Sequence, residues 1–573
     1  MQKKQAILVV ASLLVVVLGV TLAYFTAQII GKGKSVTINS ADLKIIFTDS
    51  DGSISGTNIE PGKWNVTKTF TIENKSNETY KYNIVIQDLV NTFVTNGYLQ
   101  YKITGTNNGY NMAEFKDVPK SSVAKDSILA YSASIDVGIT QTYTIEFKYA
   151  NDESVDQSDD MGKTLSGKLF ITEGTEEPTL LSQILKDNPR RSTRTTFTAF
   201  TETNTGILYK ATEQIGTNPV KDVYYFAGDA KNNWVKFGKT KESSCTYKGK
   251  EVSYFDVTND HARNPENETE CTSTNICTVY TVDDVEIYFV GLTESECNEN
   301  RGKLITEKAK WSEATKDIYW RIIRTNHDGS IKLLYAGTSP DTEKAYIGES
   351  AFNTTDNDQM YVGYKYGTTG SLENNRLNTN DSTIKTHVDN WYKNNLTAYT
   401  KYLSKDAVYC NDRNLASGQT YSTTNYFYYA SSERIKTNKQ PTYNCTNMSD
   451  AFSVNNTSAK LDYPVGLITI DELSYAGGIE STKLTAPYAW YYTNANGESI
   501  TGDERPWALS PVEYSRVWYW NGSNYPGNLS RSILYFSHVV RPSVSLSSCN
   551  LISRGNGSPE NPYEIYTGSG VCE

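Results

Sequence analysis

The sequence predicts a mainly β protein continued by an α+β region, behind a single N-terminal membrane-type helix. Three observations carry that reading. An uncharged apolar run spans Ala6 to Phe25, short alternating apolar and polar segments fill residues 35–173, and strand-like and helix-periodic segments mix from residue 190 onward. Composition sets the limits. The length of 573 residues suggests about three or four domains. A mean hydropathy of −0.52 excludes a polytopic membrane protein. A net charge of −10 with 21% charged residues argues against nucleic-acid binding through a basic face. With 42 Tyr and 9 Trp the chain is rich in residues that drive packing, so it is not disordered as a whole.

The first element, residues 1–30, reads as a transmembrane helix or a signal peptide. Ala6–Phe25 just reaches the roughly 20 apolar residues needed to cross a bilayer. Lys3 and Lys4 would stay cytoplasmic, although Lys32 and Lys34 beyond the run weaken the charge bias. Thr21-Leu22-Ala23 has the small-x-small pattern that precedes a cleavage site, so retention and cleavage near Ala23 both stay open. In either case the chain beyond about residue 30 is exported.

Residues 35–173 read as a β-sandwich. Val36–Ile38, Leu43–Phe47, Thr67–Ile72, Tyr82–Ile86, Tyr143–Phe147 and Leu165–Phe170 alternate or nearly so, separated by the turn signals Asp51-Gly52, Pro61-Gly62 and Asn96-Gly97. Gly19-Val20-Thr21-Leu22-Ala23-Tyr24-Phe25-Thr26, Asn58-Ile59-Glu60-Pro61-Gly62 and Thr67–Asn74 together resemble camelysin and TasA-like biofilm proteins of Gram-positive bacteria. That resemblance, over about residues 15–173, implies an exported sandwich able to assemble into surface fibres and cleavage near Ala23 by a dedicated signal peptidase.

Residues 174–189 read as a linker, with a polar break at Glu173–Pro178 and a short helix over Leu180–Leu185 ended by Asn188-Pro189. Residues 190–573 read as one α+β domain. Trp320–Arg324 and Ile331–Tyr335 form a hairpin about Asn326-His327-Asp328-Gly329. Asp381 is the expected N-cap of a helix that buries Ile384, Val388, Trp391 and Tyr392. Asn232–Gly238, Trp320–Arg324, Asn390–Tyr392, Cys410–Arg413, Leu467–Glu472, Trp507–Pro511, Val540–Val544 and Asn561–Ile565 resemble a widespread bacterial surface domain of uncharacterised function. The closing Trp-x-x-Ser-Pro and Val-Arg-Pro segments are similar to C-type-lectin-like folds of the formylglycine-generating-enzyme type. Residues 239–316 interrupt the pattern and read as an insertion.

Eight cysteines, all from Cys245 onward, fit an oxidising compartment. Proximity pairs Cys410 with Cys445 and Cys549 with Cys572, while Cys245, Cys271, Cys277 and Cys297 staple the insertion by one of three connectivities. No C-x-x-C occurs, and none of His261, His327, His387 and His538 stands at zinc-ligand spacing from a cysteine pair.

Motifs for chemistry are incomplete. Calcium lectins use Glu-Pro-Asn and Trp-Asn-Asp; here Glu560-Asn561-Pro562 scrambles the first and Trp520-Asn521-Gly522 lacks the carboxylate, so calcium is unsupported and no cofactor is expected. Asp49, Asp51 and Ser53, with Glu60, lack the EF-hand glycine and read as a turn. Ser382-Thr383-Ile384-Lys385 spells Ser-x-x-Lys without its partner motifs, and His387 has no second His four residues on. Cys410 and Cys445 read as a disulfide rather than a redox-active site. The chain is therefore expected not to be an enzyme.

Ligand binding is expected in Tyr514–Ser537, where Trp518, Tyr519, Trp520, Asn521, Asn524, Tyr525, Asn528 and Tyr535 combine aromatic faces with adaptable hydrogen bonding. The alternation of Trp518 and Trp520 also fits a core-facing strand. The expected function is a cell-surface adhesion protein, a sandwich stalk with a binding head, meeting the membrane through its N-terminal helix and a glycan or protein on another surface. A self-assembling fibre subunit is the competing reading.

Overall fold

The computed structural model describes residues 35–567 except 41–42, 50–53, 58–60, 96, 153–156, 161, 176–178, 201–202, 204–205, 258–260, 264, 266 and 281–284. The Ala6–Phe25 segment, the Ala23 cleavage pattern, the Asp51-Gly52 turn, Asn58-Ile59-Glu60 and Cys572 lie outside the described residues. Among the described residues no helix is long and apolar enough to cross a membrane. The protein is mainly β, with 41% strand against 15% helix. It divides into two units, up to Pro178 and from Thr179.

The first unit is a β-sandwich. One sheet runs in the order Ser35–Ser40, Leu43–Asp49, Asn65–Asn74, Thr140–Tyr149, Leu99–Gly105, Lys116–Asp117; the other runs Ile54–Thr57, Thr164–Glu173, Tyr80–Asn91, Ser121–Ile135. Alternation produces the shared core. In Asn65–Asn74 the side chains of Phe70 and Ile72 are buried while Thr67 and Thr69 face out, and in Thr140–Tyr149 the buried set is Tyr143, Ile145, Phe147 and Tyr149. Phe70 lies opposite Tyr143 in register, their rings 5.1 Å apart. The buried Tyr82 hydroxyl meets Tyr143 Oη at 2.6 Å and donates to Gln141 Oε1 at 2.5 Å, so the interior hydroxyls have partners.

The second unit opens with the helix Leu180–Asp187. Thr179 caps it, Leu180 and Ile184 enter the core, and Asn188 Nδ2 returns to Ile184 O at 2.9 Å. The central strand Lys310–Thr325 pairs with Trp234–Tyr247 and, at Arg324, with Lys221–Tyr225 on one side and with Ile331–Tyr335 on the other. Ile331–Tyr335 continues to Pro542–Leu546, and the late strand Tyr563–Ile565 returns parallel to Val235-Lys236.

The Trp and Arg residues of the recurring segments build this core. Arg321 is fully buried and donates to Asn233 Oδ1 (2.7 Å), Ala230 O (2.8 Å) and Thr493 O (3.0 Å), its guanidinium 4.3 Å from the Trp234 ring centre. Arg541 donates to Tyr335 O and Tyr491 O, both at 2.8 Å from a terminal nitrogen. Burial, and for Arg321 the nearby Arg541, brings each guanidinium down to about 9.

The segment 239–316 lies between two long strands. Lys239–Thr246 and Lys310–Asp317 leave the main sheet as a two-stranded ribbon, largely exposed along its middle. The chain between them folds into a small module around Tyr247, Val252, Ile276, Tyr288 and Val290. Of the three connectivities the structure has Cys245–Cys271 and Cys277–Cys297. Cys410–Cys445 is the third bridge, and Cys549 is also disulfide-bonded. These bridges fit an oxidising environment.

The helix expected after Asp381 spans Thr383–Asn395 and buries Ile384, Val388 and Tyr392, but its N-cap is Ser382, whose hydroxyl accepts from Lys385 N. Asp381 serves a different purpose: its carboxylate pairs with Lys365 (2.8 Å) and Lys385 (3.0 Å).

Candidate functional site

The Tyr514–Ser537 stretch folds as strands on a small antiparallel sheet, Trp507–Glu513, Arg516–Trp520 and Leu529–Ile533. This corrects the expected binding set. Trp518 and Trp520 are completely enclosed, so neither ring offers a face to a ligand. The Trp518 indole donates to Ser431 Oγ at 3.0 Å, and Trp520 packs against Tyr491 and Arg541. Asn521 and Asn528 are buried and bonded to each other across the turn, Asn521 Nδ2 reaching Asn528 O and Oδ1 at 3.3 Å. Tyr519 is half-buried, its ring 5.0 Å from that of His538. Asn524, Tyr525 and Tyr535 are exposed; Tyr525 lies under Lys483, and Tyr535 packs on the exposed Phe536.

A different aromatic surface forms at the edge of this sheet. Residues 426–429 run alongside the end of Trp507–Glu513, with Tyr429 N donating to Val512 O (3.0 Å) and Tyr514 N donating to Phe427 O (3.3 Å). Strand periodicity divides the four rings: Phe427 and Tyr429 go into the core, while Tyr426 and Tyr428 stay 56% and 40% exposed. Tyr426 lies nearly parallel to Tyr514, centroids 6.2 Å apart and 20° between planes, and edge-on to Tyr428 at 6.0 Å. The signal in the sequence is the alternation in Tyr426-Phe427-Tyr428-Tyr429, submerged in a stretch that is tyrosine-rich throughout.

Charge gathers on the same edge. Glu513 is buried and accepts from Arg516 Nη1 (2.8 Å) and Arg531 Nε (3.2 Å). Burial, then the hydrogen bond to Glu513, pushes the Tyr426 hydroxyl up to about 12. Lys436, on the turn Glu433–Asn438, sets its ammonium 5.5 Å from the Trp518 ring centre and 5.7 Å from that of Tyr428. It makes no ion pair or hydrogen bond among the described residues. Burial and then the neighbouring Arg531 lower its pKa.

Deeper in the unit the charges are matched. Arg324 donates to Glu213 (2.8 Å) and Glu472 (2.9 Å), Lys332 donates to Glu472 (2.8 Å), and Arg434 pairs with Asp412 and Asp471 (2.8 Å each). These groups line a cavity of about 20 Å³, room for one water. Burial alone would raise Glu213, but Arg324 and His327 together outweigh it and hold the carboxyl at about 2. Cys410 reaches this cavity only as half of its disulfide.

The Ser-x-x-Lys segment is built the same way. Lys385 Nζ is enclosed by Asp389 (2.5 Å), Asp462 (2.8 Å) and Asp381 (3.0 Å), which overcome burial and raise its pKa. The Ser382 hydroxyl donates to Tyr364 O at 2.7 Å. The three carboxylates come within 4.8 Å of one another, a spacing that would suit a cation, and the Lys385 ammonium takes that place. His387 is largely buried on the same helix, its pKa lowered by desolvation despite a hydrogen bond with the Ile347 backbone.

Comparison with protein-family models and with curated proteins finds no match to this chain.

Proposed function

We propose that this is an exported, non-catalytic binding protein of the bacterial cell surface, with its ligand site on the second unit. The observation that carries the reading is the exposed surface of Tyr426, Tyr428 and Tyr514 beside the ammonium of Lys436, which no carboxylate among the described residues contacts. Rigid aromatic faces with few rotatable bonds supply contact area at low entropy cost, and a half-buried cation fixes an orientation. Disulfides and the resemblance of residues 15–173 to camelysin and TasA-like proteins support export, and the lectin-like resemblance of the C-terminal segments supports a binding role. In the test, full-length protein and the Tyr426→Ala/Tyr514→Ala double variant are compared for retention on bacterial cells and glycan surfaces. Loss of retention with an unchanged melting temperature is expected; equal retention sinks the proposal.

The second reading, a fibre subunit, has its own support in the sandwich. Among the described residues Ser121–Ile135 is an edge strand of 15 residues paired with Tyr80–Asn91 alone, and Val123 on it is 68% exposed. Such an edge is a template for pairing with another chain. Sedimentation of the protein lacking residues 1–34 decides it, because a monomer at high concentration would count against assembly.

A further inference from the structure

We infer that the ligand of the Tyr426–Tyr514 surface is an acidic saccharide, a chain of pyranose rings bearing carboxylates; this rests on the binding reading above. Two features at one place point to it. The first is ring geometry. Sugar rings present flat C–H faces to aromatic planes, and the exposed Tyr426 lies between the exposed Tyr428 and the partly exposed Tyr514. An extended saccharide can stack successive residues along such a row, whereas a globular protein partner would need a broader apolar field around it.

The second feature is charge. Among the described residues Lys436 has no carboxylate in contact; Glu513 and Glu480 act on it only through space and are opposed by Arg531 and Arg516, so no ion pair replaces the hydration it loses on burial. Tyr428 and Trp518 supply only cation–π attraction to Lys436, about 1 kcal/mol in such a setting. Arg516 commits Nη1 to Glu513 and is 36% exposed at its side chain. The two cations border the tyrosine row, so an anion held there meets Lys436 and the outer face of Arg516. The chain carries a net charge of −10. Attraction of an acidic polymer therefore belongs to the Lys436 and Arg516 end of the row, away from Asp356 and Asp358 near Tyr514, and not to the protein's overall field.

Full-length protein is titrated calorimetrically with trigalacturonic acid and with its methyl ester, which keeps the three rings and removes the charges. Roughly tenfold tighter binding of the acid is expected, narrowing as sodium chloride rises from about 50 to 500 mM. Lys436→Gln is expected to erase that preference while leaving the melting temperature in place. Tyr426→Ala is expected to weaken both ligands. Equal affinities for acid and ester, or an acid preference that survives Lys436→Gln, overturn the acidic class and leave a neutral-glycan site standing. Polyglutamate bound as tightly as the acid, with no loss in Tyr426→Ala, overturns it in favour of an acidic peptide. No binding of any of these, together with cell retention unaffected by the tyrosine variants, overturns both the inference and the proposed function.

Discussion

Replacing Lys385 by Met tests how the second unit manages buried charge. The ammonium is completely enclosed and touches three carboxylates at 2.5–3.0 Å. Methionine keeps the stem and removes the charge. Two carboxylates 4.8 Å apart repel by about 3.5 kcal/mol at an effective dielectric of about 20. Asp462 is 58% exposed and can turn outward, which discounts its share. Breaking a buried pair of this kind costs about 3–5 kcal/mol, and with the discount about 3 kcal/mol is expected. For a unit of about 400 residues the unfolding entropy is about 0.8 kcal/mol/K, so the melting temperature should fall by about 4 °C at pH 7.

The same variant has two further signatures. Asp389 already sits up at about 6, through burial and the nearby Asp381 and Asp462 working against Lys385. Without Lys385 the folded carboxylates bind protons more tightly than the unfolded ones, so the deficit shrinks as pH falls toward 5. Millimolar calcium should recover part of it in the variant, because three free carboxylates then face one another. Scanning calorimetry of wild type and Lys385→Met at pH 7 and pH 5, with and without calcium, reads all of this. A variant melting within 1 °C of wild type at pH 7, or a deficit indifferent to pH and calcium, would refute the reasoning.

Three other outcomes are expected. Trp518→Ala should cost about 3–5 kcal/mol in urea unfolding, since it empties an enclosed site and strips Ser431 of its donor; stability within about 0.5 kcal/mol of wild type would show that the ring is dispensable to the core. Cys277→Ser with Cys297→Ser opens a loop with a sequence separation of 20, worth about 3 kcal/mol, and should expose the 245–310 module to limited proteolysis while the rest of the unit resists. His538 lies against Trp507 and Tyr519, and burial followed by Arg505 brings its imidazole down to about 4. Its folded pKa is below its unfolded value near 6.5, so its contribution is present above pH 6.5 and is lost as pH falls toward 4, up to about 3 kcal/mol. His538→Gln should flatten the stability profile in that window, and an unchanged slope would contradict the assignment.

Much of the fold was legible because burial in strands leaves a period of two. The alternation of Thr67–Ile72 and Tyr143–Phe147 survives in two neighbouring strands that share the inner face of one sandwich sheet. The hairpin about Asn326–Gly329 likewise follows from turn chemistry between apolar runs. Local signals fail where two residues compete for one task. Asp381 and Ser382 both suit an N-cap, and what assigns the cap to Ser382 is the distant Lys365, which draws Asp381 away. The site shows the larger failure. Trp518 and Tyr426 look equally available in sequence, yet the strand Arg516–Trp520 is covered on both faces and Tyr426 lies on an open edge. Lys436 could not be singled out at all, since its distinction is that folding brings no carboxylate into contact with it.

That distinction gives the binding reading its force. Lys332 and Lys385 are as deep as any apolar side chain, and each is held by carboxylates within 3.0 Å. Among the described residues Arg321 and Arg541 have no carboxylate in contact, and each guanidinium nitrogen donates to a carbonyl or amide oxygen fixed by the fold. The unit thus satisfies an interior cation in one of two ways. Lys436 is half-buried and uses neither: its ammonium lies 5.5 and 5.7 Å from two aromatic ring centres, while Glu513 and Glu480 act on it only through space against Arg531 and Arg516. A purely structural lysine in that position would gain by reaching out to water or by being replaced with an apolar residue that covers Trp518. A lysine kept on the rim of exposed tyrosines, with its counter-charge left out, has the form of half an ion pair whose other half arrives with the ligand.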